Sequence, residues 1–160
     1  MRALTGGHPL PVAFRRAEAG DLPAIVAMLA DDALGSTRED PRLPLAAAYL
    51  DAFAAIGADP NQLLAVAVEG GEVVGTLQLT FIPGLSHLGA WRGQIEAVRV
   101  ASSRRGTGLG ALMIEWAVEQ CRARGCRMVQ LTTNTSRSDA QRFYERLGFR
   151  HTHAGYKLSL

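Results

Sequence analysis

Residues 94–110 of this chain, QIEAVRVASSRRGTGLG, decide its fold. A mostly apolar run that is typical of a strand leads into a basic, glycine-rich turn, and a helical pattern of apolar residues begins directly after it. The three alternating glycines allow a tight turn and let backbone N–H groups approach a ligand closely. Unpaired amides at a helix N-terminus carry partial positive charge, and Arg104 and Arg105 strengthen that field. The stretch therefore predicts a site for a phosphate or pyrophosphate group.

Two common phosphate-binding motifs do not fit this turn. A P-loop requires Gly-x4-Gly-Lys-Ser/Thr, and the turn lacks that lysine. A Rossmann turn places its third glycine later and has an acidic residue at the end of the next strand, where this chain has Leu131, Thr132 and Thr133. From the residue pattern alone, a glycine-rich turn without a ligand remains the alternative.

The rest of the chain predicts helices and strands around this stretch. The predicted strands cover 12–16, 62–68, 73–82, 93–100 and 127–133, with one or two more in 149–160; the predicted helices begin near residue 21 and cover 43–56, 107–122 and 138–147. Tandem glycines at 70–71 predict a hairpin, and the strand–helix–strand unit around the glycine turn predicts a parallel pair. The expected class is α/β (α+β), a mixed sheet with helices on its faces.

Length and composition favour one soluble domain. The 160 residues are 48% hydrophobic, and we expect a flexible tail at 1–11 and a single domain at 12–160. The formal charge of +2 is too small to indicate nucleic acid or an anionic membrane as a partner. No apolar run is typical of a signal peptide or a membrane span, so we expect a cytoplasmic protein. Cys121 and Cys126 are expected to be reduced thiols, and no metal site is expected.

Two further patterns combine with the glycine turn. The strand before it ends in Val98-Arg-Val100, the turn reads Arg105-Gly-Thr-Gly-Leu-Gly110, and Ala140, Tyr144, Gly148 and Phe149 follow an Ala-x3-Tyr-x3-Gly-Phe pattern. Over residues 94–149 the chain thereby resembles the GNAT superfamily of N-acetyltransferases, which implies a mostly antiparallel central sheet with helices on both faces. One position departs from the family pattern: many members have Asn where this chain has Arg137, and Asn134 lies earlier in the same loop.

The resemblance implies acetyl-coenzyme A as co-substrate and a primary amine of a small molecule or peptide as acceptor, with direct transfer in a ternary complex. The residues that it implies at the cofactor are Val98, Arg99, Val100, Arg104, Arg105, Gly106, Thr107, Gly108, Leu109, Gly110, Asn134 and Arg137. The alternative is a coenzyme A-binding sensor or interaction module without turnover. Leu158 and Leu160 offer a terminal edge for a homodimer.

Two residues are candidates for proton transfer. An amine with a pKa of ~10.4 is almost wholly protonated at pH 7, so a general base assists its attack on a thioester. Glu96 is the candidate base, because a charged residue within an apolar strand is unusual and alternation places it on the same side as Val98. Tyr144 is the candidate acid for the departing thiolate, and the resemblance implies the N–H of Val98 as donor to the acetyl carbonyl. A solvated glutamate and a core tyrosine are the respective alternatives.

Overall fold

The computed structural model describes residues 11–160, so the predicted tail lies, except for Pro11, outside the described residues. The strands are β1 (Ala13–Arg16), β2 (Gln62–Glu69), β3 (Glu72–Ile82), β4 (Trp91–Val100) and β5 (Cys126–Leu131). The helices are α1 (Leu22–Ala30), α2 (Ala47–Ala58), the single turn α3 (Ser86–Gly89), α4 (Leu109–Ala123) and α5 (Ser138–Arg146). Apart from α3 and the C-terminal strands, these elements agree with the predicted ones to within a few residues.

The five strands form one sheet in chain order, β1-β2-β3-β4-β5. Neighbouring strands are antiparallel from β1 to β4, whereas β4 and β5 are parallel, as the strand–helix–strand unit predicts. The hairpin between β2 and β3 turns at Gly70 and Gly71, whose φ values of 58° and 86° are those that a two-residue hairpin turn requires. The mixed, mostly antiparallel sheet is thereby confirmed.

Helices cover both faces of the sheet. On one face α2 packs on β2 and α1 packs on β3 and β4, and Ile25 of α1 is buried in one cluster with Leu64 and Val66. On the other face α4 packs on the central strands, with Met113 buried against residues such as Leu77. Burial of each large apolar side chain stabilises the fold by about 1.5–3 kcal/mol. The apolar stripe of α4 therefore fixes the helix that follows the glycine turn.

The helix α4 lies close to β4 because Gly93 has no side chain. A Cβ atom built at Gly93 meets Cys121 Sγ at 2.2 Å, a separation that real side chains do not adopt. This close approach sets the depth at which α4, and the glycine turn before it, lie against the sheet.

The strands predicted in residues 149–160 are not formed, since the described chain has no strand after α5. Residues 150–160 are exposed, including Tyr156, Leu158 and Leu160. The alternation of these apolar side chains is typical of a strand, but a strand also requires a neighbouring edge, and this segment pairs with none among residues 11–160. The prediction was wrong for this reason.

Candidate active site

The strand β5 is shorter than its parallel neighbour β4. It pairs with residues 91–95 of β4 and ends at Leu131, so that within residues 11–160 no strand lies beside residues 96–100 of β4 on this side. The glycine turn follows β4 and the loop to α5 follows β5, so both lie at the carboxyl ends of the parallel strands. Ligands of open α/β sheets bind at such ends. This unpaired edge of β4, the β4–β5 gap, is the candidate active site.

The strand β4 carries a bulge beside this gap. Leu77 of β3 stands opposite both Ala97 and Val98 of β4, so β4 has one extra residue at this point. Ala97 has a φ of 52°, a conformation that residues with a side chain rarely adopt. Bulges occur next to active sites, where they re-aim the side chains that follow.

The bulge places Glu96 and Val98 on different faces of the sheet. Ile95, Val98 and Val100 pack with the core on the α4 side, whereas Glu96 is exposed beside Gln78, its partner in register. Regular alternation predicted that Glu96 and Val98 share a side. That prediction was wrong, because the extra residue shifts the alternation by one position.

The glycine turn presents a row of unpaired amides. Gly106 and Gly108 have φ values of 76° and 89°, and α4 begins at Leu109 rather than at the predicted residue 107. The backbone N–H groups of residues 106–110 donate no hydrogen bond to any backbone carbonyl within the described residues. Free amides at the N-terminus of a 15-residue helix are suited to bind an anion.

The two arginines of the turn are already paired. Arg104 forms an ion pair with Glu69 at 3.0 Å, and Arg105 forms one with Asp31 at 2.9 Å. Arg105 also donates to the carbonyl oxygens of Val100 at 3.2 Å and Asp31 at 2.9 Å. Both side chains therefore fasten the turn to neighbouring elements, and the amides are the groups that remain for a ligand.

The side chain of Tyr144 lies on the inner face of α5. Its ring packs edge-on against Phe143 and Phe149, with centroid distances of 5.1 Å and 6.0 Å. Its hydroxyl forms no hydrogen bond with residues 11–160. Burial raises the pKa of Tyr144, while the charges of Arg137 and Arg99 act in the opposite direction. A hydroxyl that is protonated at neutral pH and has no protein partner is able to donate to a ligand.

The loop between β5 and α5 contains Asn134 and Arg137. Arg137 stands at the position where the GNAT pattern often has Asn. Asn134 Oδ1 accepts hydrogen bonds from the N–H and the hydroxyl of Ser136, at 3.0 Å and 2.7 Å. Arg137 directly precedes α5, and its Nη2 lies 3.9 Å from Asp32 Oδ2. Asn134 therefore stabilises its own loop, and Arg137 extends toward the end of α1.

The acidic pair that follows α1, Asp31 and Asp32, was not predicted as part of the site. Asp31 pairs with Arg105, and Asp32 Oδ2 lies 3.3 Å from Arg99 Nη2. The N–H of Gly35 lowers the pKa of Asp32, and the charge of Arg99 adds to this effect. Acidic side chains at a helix C-terminus oppose the helix dipole. Two successive acidic residues at this position therefore indicate in the sequence that cationic partners lie nearby.

The cysteines do not contribute a nucleophile to the gap. Both are free and Cys121 is buried, and burial together with the neighbouring Cys126 raises the pKa of Cys121 to about 11. Its reactive thiolate form is therefore scarce at neutral pH. Within residues 11–160, no group of three or more His, Cys, Asp or Glu side chains is arranged to hold a metal ion. The helices of this described range include none with the length and apolarity to cross a membrane.

Several known proteins are similar to this chain. The acetyltransferase (GNAT) family matches residues 26–149. The aminoalkylphosphonate N-acetyltransferase of Salmonella typhimurium (strain LT2) is 37% identical over 113 residues, which are 71% of this chain and 73% of that protein. A crystal structure of a transcriptional regulator from Bacillus halodurans C-125 is 48% identical, has a TM-score of 0.91 and covers 94% of this chain and 100% of its own. A Trypanosoma brucei acetyltransferase structure is 29% identical, with a TM-score of 0.76 and coverage of 94% and 100%.

Proposed function

Because this chain belongs to the acetyltransferase (GNAT) family, we propose that it transfers an acetyl group from acetyl-coenzyme A directly to the primary amine of a small molecule. The name of the 37% identical relative, an aminoalkylphosphonate N-acetyltransferase, supports a small-molecule acceptor rather than a peptide. The observation that carries the proposal is the β4–β5 gap. Unpaired amides follow one of its parallel strands, and the unpaired hydroxyl of Tyr144 lies on the helix after the other.

The glycine turn is the proposed site for the pyrophosphate of coenzyme A. Its free N–H groups are donors for phosphate oxygens, and the N-terminus of α4 favours negative charge there. Gly106 and Gly108 keep this backbone free of side chains, and a Cβ at either position meets no atom within 4 Å. That empty space is available to a ligand.

Three groups beside the gap each have a role in the proposed transfer step. Glu96 accepts a proton from the acceptor ammonium, directly or through a water, so that the amine nitrogen can attack the thioester carbonyl carbon. The N–H of Val98 donates to the carbonyl oxygen as negative charge develops on it. Tyr144 donates its proton to the sulfur as the carbon–sulfur bond breaks, and the excess proton on the attacking nitrogen passes through solvent to the Tyr144 oxygen. The products are an N-acetylated amine and free coenzyme A.

Replacement of Gly108 by leucine tests the cofactor site. The new side chain occupies the space in front of the amides, and loss of about two charge-assisted hydrogen bonds should weaken acetyl-coenzyme A binding by about 100-fold. Gly71→Leu is the matched control, because Gly71 has a similar φ of 86° and an equally empty surrounding but lies in the β2–β3 hairpin. If calorimetry shows the same affinity for both variants, the cofactor does not bind at this turn.

Turnover tests the activity itself. Release of free coenzyme A should accelerate when a panel of primary amines is added to the protein and acetyl-coenzyme A. Tight binding of acetyl-coenzyme A without acceleration by any amine would instead favour a coenzyme A-binding module without turnover.

A further inference from the structure

Three charged side chains meet at the end of α1 and form what we call the Asp32 cluster: Asp32, Arg99 and Arg137. Arg99 Nη2 lies 3.3 Å from Asp32 Oδ2, and Arg137 Nη2 lies 3.9 Å from the same oxygen. Asp32 Oδ1 accepts hydrogen bonds from the N–H groups of Leu34 at 3.0 Å and Gly35 at 2.5 Å. The carboxylate is thus held by the backbone, and the two guanidinium groups share its other oxygen.

The Asp32 cluster has more positive than negative charge. The Arg99 side chain is only 11% exposed, its Nη1 donates to the carbonyl of Val98 at 2.9 Å, and its Nε is buried without a hydrogen-bond partner. Asp32 Oδ2 is also buried without a hydrogen bond. Arg38 lies near as well but is paired with Glu39 at 3.1 Å. Buried charges are normally paired and hydrogen-bonded. Asp32 pairs with the buried Arg99, and the 44% exposed Arg137 lies 3.9 Å from the same carboxylate, so Arg137 supplies the excess positive charge.

The effects of neighbouring charges on the pKa of Arg99 agree with this excess of positive charge. Burial lowers the pKa of Arg99, the charge of Asp32 acts against that change, and the charge of Arg137 acts in the same direction as burial. A guanidinium nevertheless stays charged in proteins. One carboxylate is therefore shared by two cations that repel each other.

The cluster lies on the α1 side of β4, beside the β4–β5 gap. Arg99 directly follows the bulge and points to α1, whereas Val98 and Val100 pack toward α4, which carries the turn. Arg137 directly precedes the helix of Tyr144, and the charges of both arginines act on that hydroxyl. A group bound here therefore lies beside the hydroxyl of Tyr144, the proposed acid of the transfer step.

We propose that the amine acceptor carries an acidic oxyanion group, a phosphonate, phosphate or carboxylate, and that Arg99 and Arg137 bind this group. The inference rests on the proposed function, because it specifies the acceptor of that same site. Guanidinium groups bind such oxyanions through paired, charge-assisted hydrogen bonds. Arg137 is 44% exposed and 3.9 Å from its carboxylate partner, so it can reorient toward a ligand while Arg99 keeps its contact with Asp32.

The experiment compares an acidic and a neutral amine on the same enzyme. Wild-type kcat/KM should be about 100-fold higher for 2-aminoethylphosphonate than for propylamine, and Arg137→Gln should lower this preference by about 10-fold or more, because a charge-assisted contact is lost. Including 3-aminopropanoate distinguishes a phosphonate from a carboxylate preference. Arg142→Gln is the matched control: it removes an exposed arginine of α5 that pairs with Asp139, and the preference should persist.

A second variant tests Arg99 without leaving Asp32 unpaired. Asp32→Asn combined with Arg99→Gln removes both buried charges while an amide oxygen remains for the N–H groups of residues 34 and 35. The folded double variant, verified by thermal unfolding, should also lose the preference for the acidic amine. Retention of the wild-type preference by both the Arg137 variant and the double variant would overturn the inference.

The outcomes separate this inference from the proposed function. Equal turnover of acidic and neutral amines overturns the inference and leaves the acetyltransferase proposal intact. A weaker acetyl-coenzyme A affinity of Arg137→Gln with an unchanged preference assigns Arg137 to the cofactor and also overturns it. If no amine is acetylated, the proposed function fails, and calorimetry with 2-aminoethylphosphonate still decides whether the Asp32 cluster binds an oxyanion.

Discussion

Replacement of Tyr144 by phenylalanine removes one hydroxyl from the gap and preserves the ring. The edge-on contacts with Phe143 and Phe149 involve only ring atoms, and the hydroxyl forms no hydrogen bond with residues 11–160. We therefore expect the free energy of unfolding to change by less than about 0.5 kcal/mol. We expect kcat to fall by about 10- to 100-fold, equivalent to about 1.4–2.7 kcal/mol of barrier, because a thiol of pKa ~8.5 leaves fairly well without full proton donation.

The assay measures kcat and thermal unfolding on one preparation, at saturating acetyl-coenzyme A and amine. Tyr156→Phe is the control, because it makes the same chemical change at a side chain that is 94% exposed. Since burial raises the pKa of Tyr144, the wild type should keep this donor protonated to a higher pH than a free tyrosine would, and an alkaline decline caused by Tyr144 should be missing in the variant. Full activity combined with a clear loss of stability would show that Tyr144 is only a core residue.

Three further predictions address other parts of the molecule. Glu96→Gln should lower kcat/KM most at low pH, where the acceptor is protonated, and leave the affinity for acetyl-coenzyme A unchanged; overlapping pH profiles would exclude Glu96 as the base. Gly93→Ala should lower the free energy of unfolding by about 1–3 kcal/mol, because its Cβ meets Cys121 Sγ at 2.2 Å, and Cys121→Ala should recover part of that loss in calorimetric scans. Deletion of residues 150–160, whose apolar side chains at 156, 158 and 160 are exposed, should convert a homodimer into a monomer by light scattering; an intact chain that is monomeric contradicts this prediction.

The glycine turn and α4 could be predicted because their signals are local. Alternating glycines fix the turn, and the apolar stripe of α4 identifies the buried face within one stretch of sequence. The C-terminal segment shows the limit of such signals. Its alternation of apolar side chains meets the local requirement of a strand, but pairing depends on a distant edge that the pattern does not contain.

The bulge at Ala97 and the Asp32 cluster could not be predicted from local patterns. A bulge depends on how many residues of β3 and β4 lie between paired positions, and neither strand contains a glycine or proline at the bulge to reveal it. The cluster joins residues 32, 99 and 137, which are far apart in the chain. Their charges were visible in the sequence, but which carboxylate faces which arginine depends on the packing of α1 against the sheet.

The residues after α1 contact both the glycine turn and β4. Asp31 pairs with Arg105 of the turn, and the next residue, Asp32, pairs with Arg99 of β4. The helix itself is fixed by apolar packing, since Ile25 is buried against the sheet. The core therefore determines where both carboxylates lie before any ligand binds. Arg99 and Arg105, which these carboxylates hold in place, therefore need little rearrangement when charge develops during transfer. Fixed dipoles and charges stabilise a transition state most effectively under this condition.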